Sequence, residues 1–200
     1  MRTGRGTHFG FTVLVGAMLL AAGCASTSVG KTWKSPALAQ LPPVKKVVVV
    51  AMVPSDATRQ QLEQELVAKL SEEGVQAVKS SDVLPAGAKP DKDTLRSAIE
   101  GQGYDGILVA RFAGIHEEVN VAPAMSYYDY FGAYGPTDYS VTEEARMQVS
   151  LFDARGENGQ LLWSTNTKTY EPSDVQKEVP GLAEAIVKSM AKDQVVGSAS

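Results

Sequence analysis

The sequence predicts a mixed α/β domain built on one five-stranded sheet, of order about 2-1-3-4-5, with three helices against it. Three observations carry this expectation. The uninterrupted apolar run Val47-Val48-Val49-Val50-Ala51-Met52-Val53 has the composition of a central strand covered on both faces. Helical stripes alternate with short apolar runs through the first half, which implies parallel pairing through right-handed crossovers. In the second half, two runs flank the turn Arg155-Gly156-Glu157-Asn158-Gly159, as in an antiparallel meander.

After the first strand, Ser55 or Asp56 can cap a helix whose apolar stripe is Leu62, Leu66, Val67 and Leu70, and Gly74 supplies a left-handed stop. Val75 to Val78 forms a second strand. Asp91 to Glu100 gives a helix with Leu95, Ala98 and Ile99 inward, and Gly106 to Ile115 a third strand. Glu144 to Ala154 places Ala145, Met147, Val149 and Leu151 on one face, and in Gln160 to Tyr170 the residues Leu161, Trp163, Thr165 and Thr167 share a face. Trp163 is expected in the core. Pro180 opens the last helix, with Leu182, Ile186, Val187 and Met190 buried.

Ahead of this domain, Arg2 and Arg5 precede the apolar run Phe9 to Leu20, and the only cysteine follows in Leu20-Ala21-Ala22-Gly23-Cys24. The apolar run is short for a bilayer span and reads as a signal peptide over 1–23, with Cys24 the lipidated first residue of the mature chain. Ala21 stands where the strongest lipoprotein signals carry Leu, so ordinary cleavage after the Ala21-x-Gly23 pair is the competing reading. Residues 24–43, rich in Ser, Thr, Ala and Pro, are expected to be a flexible tether that holds the domain about 25 Å from the lipid. Trp33 on it is either an interfacial anchor or a ring that docks on the domain. Ala25 and Ser26 follow Cys24 where proteins retained in the inner membrane often carry Asp, which favours the periplasmic face of the outer membrane. The α/β domain spans 44–196, and 197–200 is a frayed tail.

The chain of 200 residues has a net charge of -4; removing Arg2 and Arg5 with the signal leaves 17 basic residues against 23 acidic, or -6. That sign argues against nucleic acid or an anionic lipid surface as the partner. With Cys24 acylated, the mature domain has no disulfide, no thiol nucleophile and no thiolate metal site.

Catalytic motifs are missing. Gly101-Gln102-Gly103-Tyr104-Asp105-Gly106 has the letters of a dinucleotide fingerprint, but it ends a helix and opens a strand where the fingerprint requires the reverse, so it reads as a helix cap and turn. His116-Glu117-Glu118 lacks the i, i+4 histidine pair of a zinc helix, and His116 is the only histidine after the signal. No nucleophile elbow or phosphate loop is present. The expectation is a non-enzymatic chain without cofactor or metal.

One segment is unusual. Residues 116–142 form a connection longer than compact domains normally carry, and within it Tyr127, Tyr128, Tyr130, Phe131, Tyr134 and Tyr139 crowd together. Such rings suit a protein or glycan partner, or they fold back over a sheet edge; a membrane-inserting hairpin is disfavoured by Pro123, Gly132, Gly135 and Pro136.

The segments Cys24-Ala25-Ser26-Thr27, Thr32-Trp33-Lys34, Lys46 to Val53, Ser80-Ser81-Asp82-Val83-Leu84-Pro85, Asp105-Gly106-Ile107-Leu108-Val109, Leu151-Phe152-Asp153-Ala154 and Gly159-Gln160-Leu161-Leu162-Trp163 resemble those of a family of small proteobacterial lipoproteins classed as a domain of unknown function. The architecture is also similar to the α/β domains of the curli-secretion lipoprotein, the lipoprotein activators of penicillin-binding proteins and the N-terminal domain of the Tol propeller protein. The resemblance implies an envelope lipoprotein that docks another envelope protein, with homo-oligomerisation open. The alternative is a periplasmic glycan binder or hydrolase with a cleft near Asp56, His116 and Glu117.

Overall fold

The computed structural model describes residues 27–85, 87–88, 91–121, 139–156, 159–170 and 175–197. Seven strands form one sheet: β1 (Thr27–Val29), β2 (Trp33–Lys34), β3 (Lys46–Met52), β4 (Gln76–Lys79), β5 (Gly106–Val121), β6 (Tyr139–Asp153) and β7 (Leu161–Tyr170). Among the described residues four helices accompany it: α1 (Asp56–Glu72), α2 (Ser80–Val83), α3 (Lys92–Ile99) and α4 (Val175–Lys192). The sheet order is β1-β7-β6-β5-β3-β4, with β2 also on β7; β3 pairs in parallel with β4 and β5, and every other pairing is antiparallel.

The expected order 2-1-3-4-5 recurs as β4-β3-β5-β6-β7. Five strands become seven because the expected tether is part of the sheet. Gly30 N donates to Asn166 O at 2.8 Å and Ser35 N to Leu162 O at 2.8 Å, so residues 27–35 cover the open edge of β7 as one interrupted strand. An uncovered β7 would present a row of unpaired backbone groups. Residues 36–40 add a 3-10 turn, and Leu38 and Leu41 pack on the core. Trp33 is pinned by its backbone, and the residue stays 48% exposed.

Val47, Val49 and Ala51 of β3 face α1 and α4 and join Leu62, Leu66, Leu70, Ile186, Met190 and Trp163 in the core. Val48 and Val50 point to the other face and are buried as well, as an all-apolar strand requires. Each fully buried Leu or Val contributes about 1.5–3 kcal/mol relative to exposure. Ser55 caps α1, its hydroxyl accepting from Thr58 N, and Gly74 has φ 78°. The α3 stripe is correct in register but shallow: Leu95, Ala98 and Ile99 are only half-buried.

The fourth helix of the structure is the short α2, and α4 begins at Val175, which leaves Pro180 inside it rather than in its first turn. A proline at this position cannot donate to the carbonyl of Gln176. Gln61 Nε2 donates to that oxygen at 2.9 Å and so satisfies it. Gly101 (φ 73°) and Gly103 (φ 70°) make the turn into β5, where Lys45 N and Lys46 N both donate to Asp105 Oδ2 at 2.9 Å. This segment is a turn, as its position between helix and strand implied.

The strands β5 and β6 are longer than expected. Pairing continues past Ile115 and starts before Glu144, through Glu117↔Glu143 to Val121↔Tyr139. The connection that was expected to begin at 116 is a two-stranded arm over 117–121 and 139–143.

Candidate functional site

A bulge at Phe112–Gly114 inserts one extra residue in β5, and Gly114 adopts φ 114° there. Its consequence is that Phe112 and Ile115, three residues apart, lie opposite Met147 and Ala145 and share the helix-side face. Beside them a cavity of about 330 Å³ lies between the sheet and residues of α1 and α4. Val53, Pro54, Ser55, Thr58 and Leu62 line it from the end of β3 and the start of α1, Phe112, Ile115, Ala145, Met147 and Thr169 from the sheet, and Glu178, Val179 and Leu182 from α4. Its walls are mostly apolar. Ile115, 56% exposed, stands at its rim.

The cavity lies at the carboxyl end of β3, beside the middle of β5 where its parallel pairing with β3 stops, and the connections of β3 and β5 leave in opposite directions across the sheet. This is where open α/β sheets form a crevice. The sheet row at this level runs Ile115↔Ala145, Ala145↔Thr169 and Thr169↔Thr27, and the hydroxyls of Thr27 and Thr169 are 2.8 Å apart. The row that walls the cavity therefore ends on β1.

On the opposite face, the Glu144 carboxylate is fully buried and accepts from Arg146 at 3.0 Å and Lys168 at 3.1 Å. A second buried carboxylate, Glu63 on α1, accepts from Ala51 N at 3.0 Å and Ser80 Oγ at 2.7 Å. It ties α1 to the end of β3 and the start of α2.

Asp56, His116 and Glu117 do not form a cleft. Asp56 lies at the exposed start of α1, paired with Arg59 at 3.2 Å. His116 is opposite Glu144 and Glu117 opposite Glu143, so strand alternation turns the two to opposite faces. No hydrogen bond or ion pair joins the three, and among the described residues no group of His, Cys, Asp and Glu is placed to hold a metal ion. Cys24, Tyr127, Tyr128, Tyr130, Phe131 and Tyr134 lie outside the described residues. Tyr139 is placed only by its backbone, opposite Val121 at the end of the arm. Among the described residues no helix is long and apolar enough to cross a membrane.

Sequence reasoning missed the cavity. Its lining comes from five elements at unrelated spacings, and the one local signal was the strand end Val53-Pro54-Ser55 leading into a helix cap.

No family model matches the sequence, and no curated protein matches it. Solved structures are similar in fold. A PelC dodecamer from Paraburkholderia phytofirmans is 15% identical with a TM-score of 0.47, covering 86% of this chain and 99% of that one. The lipoprotein GNA1162 from Neisseria meningitidis is 17% identical with a TM-score of 0.43, covering 74% and 99%. The hypothetical protein CT253 from Chlamydia trachomatis is 8% identical with a TM-score of 0.39, covering 76% and 93%. At these values the likeness transfers no activity or partner to this chain.

Proposed function

We propose that this chain is a non-enzymatic envelope lipoprotein, anchored through acylated Cys24 at the periplasmic face of the outer membrane, that docks a protein partner through its β5–β6 arm. The observation that carries the reading is the arm itself. Pairing of β5 to β3 stops at Arg111, and pairing of β6 to β7 starts at Glu144, so among the described residues 117–121 and 139–143 have no third strand beside them. A two-stranded ribbon is marginal alone, and its free edges are templates for a further strand. The arm also carries the Tyr-rich residues 122–138 between its strands.

The fold gives the anchor a short leash. Residues 27–35 are bound to β7, so only residues 24–26 separate the acyl site from the sheet, a reach of at most about 10 Å. The arm, the cavity and the start of β1 all lie at one end of the sheet. That end would face the membrane, and a partner would meet the arm there.

The test replaces residues 118–142 with an Asn-Gly turn and compares this variant with the native chain by crosslinking in intact envelopes. The expected result is loss of specific envelope-protein adducts, with circular dichroism and outer-membrane fractionation unchanged. Adducts identical in both forms would contradict docking through the arm, and an unacylated Cys24 by intact mass would contradict the anchor.

A further inference from the structure

We propose that the cavity between the sheet and helices α1 and α4 holds one of the acyl chains carried on this chain's own Cys24. The proposal rests on the reading of Cys24 as the lipidated residue. Three observations favour this occupant over a free ligand.

The first is reach. Thr27 is the next member of the row Ile115, Ala145, Thr169 that walls the cavity, and it is bonded to Thr169 hydroxyl to hydroxyl at 2.8 Å. Cys24 is three residues upstream, at most about 10 Å of chain away. The second is direction. Because β1 runs antiparallel to β7, the chain before Thr27 leaves the sheet past Thr169, at the end where the cavity lies.

The third is chemistry. The walls are mostly apolar, and among the described residues Glu178 is the one ionisable side chain on the lining, with no Lys, Arg or His there to pair with a carboxylate or phosphate. A free fatty acid or an anionic cofactor would bring a charge that no cationic side chain of the described lining answers. An ester- or amide-linked acyl chain brings none. The volume of about 330 Å³ lies within the range of about 300–1,000 Å³ usual for small-molecule cavities. Housing one chain here would shield it from water whenever the protein is out of the bilayer.

The test uses the full chain, produced with its leader in cells supplied with a diazirine-bearing fatty acid, purified in detergent and irradiated. Peptide mapping is expected to find the acyl chain crosslinked to segments of the same molecule containing Phe112, Met147 or Val179. Ala145→Phe, which fills the cavity, should lower that yield at least about tenfold. Ile115→Asp, a change at an exposed rim position that spares the core, should lower it similarly and keeps the result separate from a folding defect. Crosslinks confined to detergent, or to a neighbouring copy, would overturn the proposal while leaving the anchor intact. An intact mass without any acyl group would overturn the anchor and the proposal together.

Discussion

The indole N–H of Trp163 donates to Asp193 Oδ2 at 2.8 Å, joining the core of β7 to the end of α4. The other carboxylate oxygen is 3.5 Å from Lys34 Nζ on β2. One side chain thus fastens β7, the last helix and β2. Asp193→Ala leaves the buried indole N–H without its acceptor and frees Lys34. The expected loss is about 1–3 kcal/mol in urea unfolding, with faster amide exchange over residues 31–35.

Burial pushes the Asp193 carboxyl up, but hydrogen bonds from Trp163 and Thr32 and the charge of Lys34 outweigh it and hold it below the usual carboxylate range. Its contribution to stability is therefore complete above the unfolded value of about 3.9 and is lost as pH falls through the lower, folded value. Native protein and Asp193→Asn should differ at neutral pH and converge in acid. Unfolding free energies measured from pH 6 down to the acid limit check this; a difference that grows on acidification would contradict it.

Glu63 Oε1 accepts two hydrogen bonds, whereas Oε2 is buried with no protein partner among the described residues. Glu63→Gln keeps an acceptor for Ala51 N and Ser80 Oγ and removes the carboxylate from the interior, so stability should hold within about 1 kcal/mol or rise. Glu63→Ala strands both donors and opens a void. Its cost should be about 2–4 kcal/mol by denaturant unfolding.

Gln194 ends α4 at φ 58°, with Val195 N donating to Met190 O at 3.0 Å. This is a helix stop that favours glycine, and a side chain there carries the left-handed penalty. Gln194→Gly should raise stability by about 0.5–1 kcal/mol. A fall in the urea midpoint would contradict the strain.

How far the sequence reached is set by the length of each pattern. The run Val47 to Met52 and the stripes of α1 and α4 repeat long enough to be unmistakable, and the helix–strand alternation then determines the strand order. Residues 27–35 were unreadable because three residues of β1 and two of β2 contain no period; what makes them strands is the open edge of β7, which is remote in sequence. The arm was hidden for a related reason. His116-Glu117-Glu118 has no apolar face to predict, and pairing with 139–144 alone defines it. Pro180 misled because the carbonyl it orphans is answered by Gln61, 115 residues earlier than Gln176. The cavity is wholly tertiary, so no local window contains it.

With Cys24 lipidated as proposed, the lipid would hold one end of the sheet, with arm and cavity, against the membrane. Hydrogen exchange of the acylated chain in lipid nanodiscs, compared with Cys24→Ala in solution, tests it directly. Added protection is expected over residues 53–58, 112–121 and 139–147, and none at the opposite end around Gly101–Gly106 and Ala154–Gly156. Protection at that opposite end, or an even change across the sheet, would contradict it.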